Sequence, residues 1–137
     1  MSTTIRPEIS KKSNYWIEKH RYYELKHFCL QYPIWKKACF SLDGLAKHGI
    51  GLHHSSGDTS DPTCRAAEAR EWYLYCIRLI EKTVNSLNSA IAPYILKGVT
   101  EGRSYDYLRI HYDIPCGKDM YYDLYRRFFW LLSKERR

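Results

Sequence analysis

The chain has 137 residues, a net charge of +7, 45% hydrophobic and 15% aromatic residues. That length fits one ordinary domain with a core of its own, and the abundance of large apolar side chains excludes an intrinsically disordered chain. No run approaches the ~20 apolar residues of a transmembrane helix, and the polar start carries no signal-peptide pattern.

The charge is uneven. Residues 1–50 hold nine basic and four acidic side chains, residues 51–102 five and six, and residues 103–137 eight and five. Both ends are basic around a near-neutral middle, a distribution that draws a protein toward polyanions. Cys29, Cys39, Cys64, Cys76 and Cys116 are odd in number and include no Cys-x-x-Cys pair, which predicts reduced thiols in a cytoplasmic protein.

In chain order, residues 1–14 read as a flexible basic leader. From Tyr15 the spacing of Trp16, Tyr23, Leu25, Phe28 and Leu30 predicts a helix, with Lys19, Glu24 and Lys26 outside its apolar face. The Tyr32-Pro33 step ends it, because the residue before proline avoids the α region. Pro33 then opens a second helix from Ile34 to about Leu45, ended by Gly44 or soon after, so that residues 15–47 form an N-terminal helical hairpin. Residues 48–61, rich in Gly, Ser, His and Asp, read as a loop.

Asp61 is placed to cap, and Pro62 to open, the longest helix, 62–84. Its apolar positions are Ala69, Trp72, Tyr73, Cys76, Leu79, Ile80 and Val84. After a break at Asn85–Asn88 a short helix over 89–97 accommodates Pro93 only in its first turn or as a kink. Gly98 and Gly102 bracket its exit, and the central helices span 62–102. No segment alternates like a strand. The expected fold is all-α: a single compact helical domain of about five to six helices with a C-terminal helix-turn-helix.

That C-terminal unit covers residues 103–137. Ser104 can cap a helix over 104–112, a DIPCG turn follows at 113–117, and a long helix runs over 118–134. At 100° per residue, Met120, Tyr121, Leu124, Phe128, Leu131 and Leu132 gather on a core face. Lys118, Asp119, Tyr122 and Arg126 gather elsewhere within the first turns, where a recognition helix meets base edges. Arg103, Arg127, Lys134, Arg136 and Arg137 are candidate phosphate contacts. Phe129 and Trp130 remain outside the main core face and require cover from the N-terminal helices or from a second subunit. The same pattern also suits an αα-hairpin in a core with a solvated basic face, and periodicity leaves both readings open.

Three segments carry a likeness to a known group. YYELKHFCLQYPIWKK at 22–37 resembles a helix ending at Tyr-Pro before a second helix. DTSDPTCRAAEAR at 58–70 is similar to an Asp-x-Thr-Ser-x-x-Thr segment opening a long helix, and YDIPCGKDMYYDLYRRFFWLLSK at 112–134 aligns without a gap with a sigma-factor-like helix-turn-helix. Together and in order they resemble the RinA/ArpU-type late-gene transcriptional regulators of phages of Gram-positive bacteria. Gly117, Lys118 and Asp119 stand where that group commonly has a small hydroxyl N-cap and an Arg. The resemblance implies a sequence-specific DNA-binding transcriptional regulator of phage or prophage type, working in the bacterial host cytoplasm. Double-stranded DNA is the expected partner, RNA polymerase and a second copy of the chain the further ones, and no membrane is expected.

Other constellations point elsewhere only faintly. His53 and His54, with His48, Cys39 and Asp58, lack the short defined spacings of a zinc site, so no metal or other cofactor is expected. Cys29, Cys39 and Cys76 read as small core residues. Cys116 reads as filling space between helices, or else as a reactive thiol near a helix start. The chain has no Gly-rich phosphate loop, Gly-x-Ser-x-Gly or His-Glu-x-x-His. Asp106, Asp113, Asp119 and Asp123 read as caps and surface charges, and no catalytic residue is expected. Two rival functions use the same features: a phage DNA-packaging adaptor, and a protein-interaction module that inhibits a host nucleic-acid enzyme by covering an acidic surface or a guide-RNA groove.

Overall fold

The structure, a computed structural model, describes residues 14–48, with side chains to Ser41, and residues 62–136. The expected leader, most of the 48–61 loop, Asp61, His53, His54 and Arg137 lie outside the described residues. Among those described, every regular element is helical. The helices are α1 (Lys19–Leu30), α2 (Tyr32–His48), α3 (Pro62–Asn85), α4 (Ala92–Glu101), α5 (Tyr105–Tyr112) and α6 (Lys118–Glu135). They gather into two compact units: residues up to Gln31 together with Leu79 onward, and Tyr32–Arg78.

In the first unit α1, α4 and α6 pack on one another, and α5 packs on α4 and α6. α1 starts at Lys19, later than Tyr15, because the Glu18 carboxylate caps it by accepting from the backbone N–H groups of His20 (2.9 Å) and Arg21 (3.1 Å). Its buried face is Tyr22, Leu25, Phe28 and Cys29, so Tyr22 rather than Tyr23 enters the core. The break after α1 falls at Gln31, and Tyr32 already belongs to α2.

α4 lies further along the chain than the expected 89–97. Asn88 forms the preceding turn, its side-chain oxygen accepting from Ala90 N–H (2.9 Å) and its carbonyl from Ala92 N–H (2.8 Å). Pro93 sits in the first turn, where its missing N–H costs nothing. Gly98 is not an exit but an interior position. The Tyr121 hydroxyl occupies the space a Cβ would take, 2.0 Å from that point. Gly102, at φ +69°, ends the helix in the left-handed conformation that glycine adopts without strain.

Ser104 caps α5 by accepting from Tyr107 N–H at 3.2 Å, as the sequence predicts. The connection to α6 opens on Asp113 at φ +50°, a left-handed position that Asp tolerates better than most residues. The Tyr105 hydroxyl fastens this turn by donating to the Cys116 carbonyl at 2.6 Å. Gly117 is the N-cap of α6 and supplies no side-chain cap.

In the second unit α2 continues to His48, past Gly44, since an isolated glycine costs a helix only about 1 kcal/mol. Tyr32, Trp35 and Cys39 of α2 and Cys76 and Ile77 of α3 are buried. The Cys39 thiol lies 4.0 Å from the Arg70 carbonyl. Ile34, Phe40, Trp72 and Tyr75 are exposed in this unit.

Candidate nucleic-acid interface

α6 is held along its length by aromatic packing. Tyr121, Leu124, Phe128, Phe129 and Leu132 are its buried residues. Phe129 is fully buried, edge-on to Tyr22 (5.2 Å), Tyr125 (4.9 Å) and Phe128 (5.0 Å). Trp130 is half-buried, with Tyr15 edge-on at 5.5 Å and the Lys134 ammonium 3.5 Å from its ring centre. The cover that these two residues require therefore comes from the N-terminal segment of the same chain.

This packing turns α6 about its axis relative to the sequence expectation. Met120, expected in the core, is 44% exposed, and Leu131 is only half-buried. The buried arc moves toward Phe129 by roughly an eighth of a turn at 100° per residue, Tyr121, Leu124, Phe128 and Leu132 staying inside, and the solvent arc shifts to the Met120 side. It now centres on Asp119, Met120, Asp123, Arg127 and Lys134. The physical reason is that aromatic rings at Tyr121, Tyr125 and Phe129 bury more area than Met120 and Leu131 can.

The candidate reading residues occupy different places on this rotated helix. Asp119 is exposed in the first turn, where a carboxylate favours the helix dipole. Lys118 is half-buried at the start. Tyr122 packs edge-on against Tyr121 (5.0 Å) and Tyr125 (5.9 Å), and its hydroxyl lies 3.5 Å from Tyr105 N. It braces the contact between α5 and α6. Arg126 is half-buried on the flank, 3.8 Å from the Asp123 carboxylate. Arg127, by its spacing a phosphate candidate, is exposed on the solvent arc.

The remaining basic candidates divide in the same way. Arg103 is exposed, over the Tyr107 ring at 4.3 Å and 3.7 Å from Glu101. Lys134 is exposed beside Trp130. Arg136 is engaged inside the fold: its guanidinium pairs with Glu24 and lies over Phe28 at 4.3 Å, while its carbonyl accepts from Arg21. Its surroundings tie the end of α6 to α1. α5 adds an exposed surface with Arg109, Ile110 (77% exposed) and His111.

The interior of this unit is a tyrosine cluster. The Tyr22 and Tyr125 hydroxyls are 2.8 Å apart, and the Tyr121 hydroxyl is buried without a hydrogen-bond partner. Burial pushes the Tyr121 and Tyr125 phenols and the Cys29 thiol well above their ordinary values. Burial also raises Cys116, the direction opposite to a reactive thiolate, so this residue fits as interhelical packing.

Cys29, Cys39 and Cys76 are buried free thiols, as the pattern predicts, and Cys64 is exposed. Among the described residues no group of three metal-ligating side chains comes together, and no helix is long and apolar enough to cross a membrane. His53, His54 and Asp58, which the sequence reads as part of a loop, lie outside those residues. No protein-family model, curated protein or solved structure matches the chain.

Proposed function

We propose that this chain is a sequence-specific DNA-binding protein, a transcriptional regulator of phage or prophage type, in which α5, the 113–117 turn and α6 act as a helix-turn-helix. The observation that carries the reading is the solvent arc of α6, which presents Asp119, Met120, Asp123 and Arg127 along one face beside Lys118 and Arg126. That mixture suits base edges. Arg pairs with guanine, a carboxylate accepts from cytosine, and an apolar side chain meets the thymine methyl. Arg103, Arg109 and Lys134 are the phosphate contacts of this reading, and Arg127 takes the place of Tyr122 among the base contacts. The protein acts by binding, without a catalytic step.

The test is selection of bound sequences from random duplex DNA with the full chain, at fixed near-physiological salt, because phosphate contacts alone give salt-dependent affinity without sequence preference. One enriched motif is expected. Arg127→Ala should weaken binding to it by roughly five- to 150-fold, as for loss of a guanine contact of 1–3 kcal/mol, and relax one position of the motif. Uniform weak retention overturns the regulator reading in favour of a packaging role. Absence of binding overturns it in favour of a protein or guide-RNA partner.

A further inference from the structure

α3 of the second unit carries an exposed pair of aromatic side chains. Trp72 is 56% and Tyr75 53% exposed, and their rings stack at 5.7 Å with an interplanar angle of 27°. Stacked rings present a flat apolar platform at small conformational cost, the property that makes Trp and Tyr dominant at interfaces. On the side of the helix that carries Tyr75, Glu68 and Glu71 precede the platform and Arg78 follows it, all three exposed, while Arg65, also exposed, lies a turn before Glu68 and off that side. None of Glu68, Glu71 and Arg78 makes an ion pair with another described residue.

The spacing places these residues on one seam. At about 100° per residue, positions 68, 71, 75 and 78 fall within an arc of roughly 80°, with Trp72 about 40° beyond it on the Glu68 side. The intervals of three, four and three are those of helices that pack side by side.

We propose that this face of α3 is a self-association surface that takes a second copy of the chain, antiparallel, about a two-fold axis beside Tyr75. An antiparallel pairing brings Glu71 of one copy opposite Arg78 of the other, and the symmetry does so twice. The aromatic pairs of the two copies meet at the centre. A parallel pairing would set Glu against Glu and Arg against Arg, which is repulsive. The sign order along the seam therefore selects both the occupant and its direction. The apolar centre with a charged margin is the anatomy of a protein interface. This inference concerns the second unit and does not depend on DNA binding.

The experiment is sedimentation equilibrium of the full chain without DNA, with circular dichroism to verify the fold of each variant. The wild type should form dimers below about 100 μM, above the micromolar dissociation constants of weak specific interfaces. Arg78→Glu should weaken the dimer at least about tenfold, since two attractive pairs become repulsive. The double reversal Glu71→Arg/Arg78→Glu should restore it. Tyr75→Glu, at a second exposed position, should give a monomer. A wild type that stays monomeric at about 100 μM overturns the proposal. A dimer indifferent to Arg78→Glu, or not restored by the double reversal, also overturns it. Because the readout is mass alone, failure here leaves the DNA selection unaffected, and a failed selection leaves this measurement unaffected.

Discussion

Gly98 and Tyr121 form a coupled pair whose energetics follow from the geometry. A Cβ on Gly98 would lie 2.0 Å from the Tyr121 hydroxyl, 3.3 Å from its Cζ and 3.4 Å from the Arg103 carbonyl. Gly98 is interior to α4, so replacing it with Ala should contribute about 1 kcal/mol of helix propensity. The clash opposes this gain, since forcing an atom into a packed core costs about 1–3 kcal/mol. Gly98→Ala should therefore range from neutral to about 2 kcal/mol destabilising. Tyr121→Phe removes a buried hydroxyl that has no hydrogen-bond partner, and relieves a desolvation cost of about 1–3 kcal/mol.

In the Phe background the new methyl group occupies the volume the oxygen vacated, and the 3.3 Å approach to Cζ is a tight contact rather than a clash. Gly98→Ala should there stabilise by about 0.5–1 kcal/mol. The two substitutions should couple by roughly 1–3 kcal/mol in a double-mutant cycle. Urea denaturation of the four proteins, followed by circular dichroism and tryptophan fluorescence, measures the coupling. A coupling below about 0.5 kcal/mol, the ordinary error of additivity, would refute the placement of the Tyr121 hydroxyl over Gly98.

Three further outcomes follow from the same unit. Cys29, Tyr121 and Tyr125 hold their protons more tightly when folded, so their stabilisation is complete below the ordinary values of 9.0 and 10.0 and is lost as pH rises above them. Stability should fall from pH 9 upward and more steeply beyond 10, by up to about 1.4 kcal/mol per pH unit for each group. A urea midpoint that is flat to pH 11 contradicts this. Arg21→Ala should cost about 1 kcal/mol, because its half-buried guanidinium donates to the Ser133 side chain (3.2 Å) and carbonyl (3.0 Å) as well as to the Arg136 carbonyl. Denaturant titration should record that loss, with the end of α6 gaining hydrogen exchange. Asp113→Ala should destabilise by roughly 1–2 kcal/mol, whereas Asp113→Gly should be tolerated, since only the former penalises φ +50°. Equal melting temperatures for the two variants would contradict a left-handed residue at the head of the turn.

Much of the helical plan follows from local chemistry. Pro62 and Pro93 fall in first turns, Ser104 caps α5, Gly102 ends α4, and the 113–117 connection lies between α5 and α6. These features depend on a few neighbouring residues, and a sequence displays them directly. Burial of Cys29, Cys39 and Cys76 was legible in the same way, because each lies on an apolar face.

Tertiary structure decided what periodicity leaves open. Gly98 carries the same local signal as Gly102, yet one is interior and the other terminal. The difference is a tyrosine hydroxyl from α6 seated on Gly98. The orientation of α6 was likewise beyond local reading, because that helix is apolar or aromatic on much of its circumference. Contacts of Tyr22 with Phe129 and of Tyr15 with Trp130, between residues more than a hundred positions apart, select which side is buried. They bring Met120, Asp123 and Arg127 outward, draw Tyr122 into the packing and occupy Arg136 with Glu24 and Phe28. Helices and their ends are thus set by residues within one turn of each other. The face that remains exposed is set by long-range competition among aromatic side chains for the same core.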